Sequence, residues 1–161
     1  MSKKNIKTNA MRILERKKIP YEIKTYEVDE QDLSGVHAAA MMGVDPKGLF
    51  KTLVLHGEKT GYLVACIPVD DNIDLKKLAR VSKNKKVEMI PMKDLLAITG
   101  YIRGGCSPVG MKKEFPTFIH ESILEQEKIG VSAGQRGLQM IVKPSDLIAA
   151  TGASVENVVV E

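Results

Sequence analysis

Apolar positions near the start of the chain recur at helical spacing. Ile6, Ala10, Ile13 and Leu14 share a face, with Thr8 or Asn9 placed to cap it. Pro20 ends that helix, and Tyr21, Ile23 and Thr25 then alternate as a strand does. A short helix is predicted over Val36–Met42, stopped by Gly43, a residue suited to the left-handed terminator. The turn signal DPKG follows, then the apolar runs LFKTLVLHG and YLVACIPV, which read as a hairpin closed by residues 57–61. Their near-continuous hydrophobicity predicts strands covered on both faces.

Further along, Asp74 is placed to cap a helix over Leu75–Val81, and KVEMI reads as a short strand. Pro91 opens a helix whose apolar face is Leu95, Leu96 and Ile98 and which Gly100 ends. Strands are predicted at Pro116–His120, Lys128–Ser132 and Leu138–Val142, then a helix over Ser145–Thr151 stopped by Gly152. The first and last few residues are expected to fray. Helices and strands are interspersed without a strict βαβ rhythm, which predicts an α/β fold with a mixed sheet. The 161 residues suit a single domain over 1–161, with no internal repeat or linker.

Composition narrows the classes. Apolar residues make up 43% and charged residues 27% of the chain, as in globular domains. No run of about 18 apolar residues is present, so no membrane partner is expected. The basic start lacks the apolar core of an export signal; with two distant cysteines, this predicts a cytoplasmic protein with reduced thiols. The net charge is +4, with basic clusters at Lys3/Lys4/Lys7, Arg16–Lys18, Lys76/Lys77/Arg80, Lys83/Lys85/Lys86 and Lys112/Lys113. These read either as a solvated face or as a surface that attracts polyanions. Aromatic residues are 4% and Trp is absent, so bound nucleic acid would be held by its backbone rather than stacked.

Three segments carry candidate chemistry. Alternation places Lys51 on one strand face with Leu49, Leu53 and Leu55. Such a lysine either snorkels to solvent or sits at a pocket mouth as a cation aimed at a carbonyl, phosphate or carboxylate. Residues 100–110, GYIRGGCSPVG, contain four glycines, a composition that suits either a structural turn or a loop whose backbone amides reach a ligand. The spacing fits neither a P-loop nor a dinucleotide fingerprint. Ser132–Gly137 reads as a polar hairpin loop whose Ser132 hydroxyl and Gly134 backbone can donate to a shared pocket.

Conventional catalytic groups are scarce. His37, His56 and His120 lack partners at metal or triad spacing, and paired carboxylates are absent. Nothing in the pattern calls for a metal or a cofactor. Cys66 reads as a small buried hydrophobe. Cys106, beside glycine amides, has no base near it in sequence to make it a nucleophile.

Taken together, FKTLVL, P-V-x-x-x-x-D-L-K-K-L-A, KVEM, TGYIRGGCSPVG and VSAGQRGLQM resemble, in order and spacing, the YbaK/EbsC family of aminoacyl-tRNA deacylases. The likeness runs from about Thr8 to the last helix and is greatest to the YbaK-type Cys-tRNA(Pro) deacylases, relatives of the editing domain in bacterial prolyl-tRNA synthetases. It implies a compact α/β domain with a mixed, barrel-like sheet and surrounding helices. By the same likeness, Lys51, Gly104 and Gly105 are catalytic, and Tyr21, Thr52, Ser107, Pro108, Ser132, Gly134 and Arg136 bind substrate. Gly137 completes the third motif. Cys106 stands where relatives commonly have an aliphatic residue, and Gln139 where YbaK-type relatives often carry Asp.

The implied substrate is mischarged tRNA, Cys-tRNA(Pro) and also Cys-tRNA(Cys), with prolyl-tRNA synthetase as a candidate partner. In that chemistry the substrate's own thiol attacks its ester, which fits a chain with no evident nucleophile. An Ala-tRNA(Pro)-type deacylase and a non-catalytic module binding tRNA or a synthetase are the alternative readings.

Overall fold

The structure is a computed structural model and describes residues 7–161; Ile6 and the lysines at 3 and 4 lie outside the described residues. Helix α1 (Asn9–Arg16) is capped by Thr8, whose hydroxyl accepts from the Met11 N–H at 3.2 Å. Strand β1 (Glu22–Thr25) follows, and then α2 (Gly35–Met42), which begins at a Ser34 cap and ends at Gly43. The hairpin is β2 (Phe50–Gly57) and β3 (Gly61–Pro68), paired from Phe50↔Pro68 to Gly57↔Gly61. Helix α3 (Leu75–Ser82) starts where Asp74 accepts from the Lys76 and Lys77 amides, and β4 (Val87–Met89) leads to α4 (Leu95–Thr99). The chain closes with β5 (Thr117–His120), β6 (Ile129–Gln135), β7 (Leu138–Val142), α5 (Pro144–Thr151) and β8 (Ser154–Glu156).

These strands form two sheets. One is antiparallel, in the order β1-β7-β6; the other is mixed, in the order β4-β2-β3-β5-β8, with β5 parallel to both neighbours. They touch through one parallel bridge, Leu49↔Gly130. The result is a mixed α/β domain, as expected. Its barrel character is partial: β1 and β8 are free edges among the described residues.

Alternation along β3 explains the layering. Val64 and Cys66 face a core shared with Leu14 of α1 and with Val131 and Met140 of the small sheet. Leu63, Ala65 and Ile67 face the opposite core, built on Leu78 of α3 and Val158. The unbroken hydrophobic run therefore serves two cores, and burial of this kind is the main stabilising term in the fold.

Two expectations are corrected. Leu96 does not join the apolar face of α4: it is 55% exposed, while Leu95 alone of that helix's leucines is buried. The chain also does not fray after α5. β8 adds a parallel strand to β5, Val158 and Val159 are buried, and the Val158 N–H donates to His120 Nδ1 at 3.2 Å.

That bond needs Nδ1 unprotonated. Burial pulls the His120 pKa below its ordinary 6.5, against the opposing pull of the Asp71 and Glu121 carboxylates. The folded state thus favours neutral imidazole. Its contribution to stability is full above pH 6.5 and is lost as pH falls through the lower folded value. The unfolding free energy from denaturant titrations is expected to fall more between pH 7 and pH 5 in the wild type than in His120→Asn. Parallel curves for the two proteins would dismiss this role.

Candidate active site

Beside the Leu49–Gly130 bridge lies a cavity of about 370 Å³. Its walls come from the approach to α2 (Leu33, Ser34), from β2 (Lys51, Thr52), from the β4–α4 region (Met89, Met92), from the glycine-rich segment (Arg103, Gly104, Cys106) and from the small sheet (Ser132, Gln139). The lining is mostly apolar with a few convergent polar groups, the usual make-up of a small-ligand site.

Lys51 is half-buried in this wall. Its ammonium donates to the Val69 carbonyl at 3.4 Å, and burial lowers its pKa from the ordinary lysine value; Asp71 and Asp70 push the other way. Those two carboxylates pair instead with Lys47, at 3.5 and 3.1 Å. Among the described residues no carboxylate forms an ion pair with Lys51, so its charge remains available to a ligand. Lys51 thus stands in the cavity wall, with its ammonium at the Val69 carbonyl.

The glycine-rich segment is held from inside. The Tyr101 hydroxyl donates to the Val109 carbonyl at 2.6 Å, Ser107 Oγ accepts from the Val109 N–H at 3.2 Å, and Arg136 Nε donates to the Arg103 carbonyl at 2.8 Å. Gly104 has φ +84°, a left-handed backbone that disfavours a side chain. Gly105 lies so close to the next hairpin that an added Cβ would come 3.0 Å from the Arg136 nitrogen.

Of the residues expected at the site, Lys51, Thr52, Gly104 and Ser132 line the cavity together. The others do not. Gly105 sits behind Gly104, and its N–H is spent on the Ile102 carbonyl at 2.9 Å, so it is not free to meet a substrate. Ser107 is fully buried inside its own turn, beside Pro108. Gly134 passes under the Tyr101 ring, and Arg136 braces the loop at Arg103. Tyr21 packs against the α1 core and donates its hydroxyl to Glu15 at 2.5 Å; the tyrosine at the cavity is Tyr26.

The cavity also contains residues the sequence did not single out as binding groups, notably Arg103, Met89, Met92 and Gln139. Arg103 was within reach of prediction, since it precedes the glycine pair. Cys106 is a wall residue, but burial pushes its thiol to about 12, and Cys66 likewise. Neither forms a useful thiolate near neutral pH.

Residues 32–150 match the family described as the aminoacyl-tRNA editing domain, and the chain belongs to that family. Over 145 residues, 90% of this chain and 88% of the relative, it is 50% identical to EbsC of Enterococcus faecalis, named there as a candidate Cys-tRNA(Pro)/Cys-tRNA(Cys) deacylase. Two crystal structures share the fold. One is a hypothetical protein (TM-score 0.86, 20% identity, 95% of this chain and 100% of the other). The other is described as a candidate trans-editing enzyme for prolyl tRNA synthetase (TM-score 0.81, 23% identity, 98% and 100%).

Proposed function

We propose that the protein is an aminoacyl-tRNA deacylase that removes cysteine from Cys-tRNA(Pro) and Cys-tRNA(Cys). The observation that carries this reading is a cavity lined by both an available Lys51 ammonium and the Gly104 backbone. Its Cys106 thiol is held protonated, and among the described residues its hydroxyls have no His or carboxylate beside them in the lining to activate them. The 50% identity to EbsC supports the choice of amino acid.

The chemistry then comes from the substrate. The cysteinyl thiol, as thiolate, attacks its own ester carbonyl. A C–S bond forms, the ester C–O bond breaks, and the thiol proton ends on the ribose oxygen of the departing tRNA. The four-membered thiolactone left behind is opened by water to cysteine. Lys51 stabilises the carbonyl oxygen as it takes up negative charge, and Gly104 allows the ester to approach the loop closely. The apolar walls hold the amino acid in the attacking conformation. The tRNA body lies outside a cavity of this size, so selection of tRNA(Pro) falls to basic surface residues or to a partner such as prolyl-tRNA synthetase.

Release of amino acid from a panel of charged tRNAs tests the assignment: cysteine is expected to leave and alanine to remain. Rapid release of alanine would move the specificity to Ala-tRNA(Pro). Salt-sensitive tRNA binding with no release at all would leave a binding module.

The protein's own thiols should be spectators. With a pKa of about 12, Cys106 is almost entirely protonated at pH 8. Iodoacetamide at pH 8 is therefore expected to modify it far more slowly than free cysteine, and Cys106→Ala to keep its turnover. The rate should climb from pH 6 toward about 8.5 as the substrate thiol ionises, in the variant as in the wild type. Loss of that climb in Cys106→Ala would assign the titration to the protein.

A further inference from the structure

Gln139 lies on the central strand of the small sheet, paired with Ser132 of β6 on one side and Lys24 of β1 on the other. It is 6% exposed and lines the cavity, and its Oε1 is buried without a hydrogen-bond partner. Buried polar atoms are nearly always paired, so a wall acceptor left open asks for a donor from the cavity side. Ser132 does not fill it: Ser132 Oγ accepts from the Gly134 N–H at 3.1 Å, and no bond joins it to the amide. No Asp or Glu among the described residues lines the cavity, so an entering donor meets a neutral acceptor.

We infer that Gln139 Oε1 accepts a hydrogen bond from the α-amino group of the bound aminoacyl ester. The inference rests on the deacylase reading, because that reading says which groups enter. The carbonyl and ester oxygens only accept, and Lys51 serves them. The thiol is engaged in attack. The α-amino group is the donor at the aminoacyl end whose partner is still missing. Lys51 on β2 and Gln139 on β7 then grip the two sides of the substrate's Cα. Cysteine is thereby read as an α-amino acid and not only as a thiol, and acyl groups without the amine are poor ligands.

Binding measured by calorimetry separates this from turnover. The probes are 3′-cysteinylamino-3′-deoxyadenosine, an amide that does not hydrolyse, and its 3-mercaptopropionyl counterpart, which keeps the thiol and lacks the amine. The wild type should prefer the first by about tenfold, the worth of one hydrogen bond. Gln139→Met, similar in length and apolar, should erase that preference while leaving the affinity for the second probe unchanged. Gln139→Glu should enlarge the preference at pH 6, where the amine is charged, a gain that a merely structural residue would not give. Circular dichroism establishes that each variant is folded.

Equal weakening of both probes in Gln139→Met overturns the assignment. So does a wild type that binds the two alike, whether or not a ribose hydroxyl proves to matter, or one that binds neither. A Gln139-dependent preference in a protein that releases no cysteine from tRNA would instead retire the deacylase reading and leave the amino-group site standing.

Discussion

Replacing Lys51 with alanine is expected to lower cysteine release from Cys-tRNA(Pro) by about 10²–10³, the loss seen when one group that stabilises a developing oxyanion is removed. The fold should not suffer. Burial already lowers the Lys51 pKa, so the native state holds the ammonium at a cost, and the variant is spared that cost. Lys51→Met is the sharper control, because it keeps the stem that packs in the wall and removes only the charge. Thermal unfolding midpoints equal to or above that of the wild type, with turnover gone, would locate the defect in chemistry. Lys51→Arg is also expected to fail, since a planar fork does not replace a compact point charge beside the Val69 carbonyl. Undiminished turnover in Lys51→Met would remove this residue from the mechanism.

The second large effect concerns the substrate. A cavity that selects by fit alone distinguishes similar side chains by about 10–200-fold. Cysteine and serine differ by one atom, so a steric site should fall in that range. Selection by an attacking thiol should exceed it, because a hydroxyl is a far poorer internal nucleophile and the whole gain of intramolecular attack, up to about 7–11 kcal/mol, disappears with it. We expect kcat/KM for Ser-tRNA(Pro) to lie more than about 10³ below that for Cys-tRNA(Pro), mostly in kcat. A ratio near one hundred, carried by KM, would mean that the cavity merely sorts by size and that water attacks the ester.

Local signals in the sequence were good guides where the local rule is also the tertiary rule. Thr8, Asp74, Gly43 and Gly152 punctuate their helices as their side chains, or lack of one, require. The β2–β3 hairpin follows from two apolar runs and a short polar link. Failures came where a distant segment decides. Leu96 fits the apolar face of its helix, but nothing packs over it. β8 is too short to announce itself and exists because β5 offers an edge.

At the site, Lys51 stood out as a cation among leucines. Gln139, by contrast, is the one polar residue of the strand LQMIV, where a side chain turned to solvent is the ordinary expectation; only the covering walls make it buried. Tyr21 and Ser107, expected at the substrate, do not line the cavity; their hydroxyls are bonded to Glu15 and the Val109 N–H in the framework beside it. A motif identifies residues that act together without separating those that meet a ligand from those that hold them in place.

The cavity is assembled from stretches around residues 33–38, 49–54, 89–106 and 132–139, with long segments of chain threaded between them. No single hairpin or helix contains a usable fraction of it. A nascent or partly melted chain therefore has nothing with which to attack the far larger pool of correctly charged tRNA. Activity and global structure should vanish in one denaturant transition, and competence should arrive late in folding, once the sequence-distant contacts have closed. An editing function distributed in this way is inactive by construction until the molecule is whole.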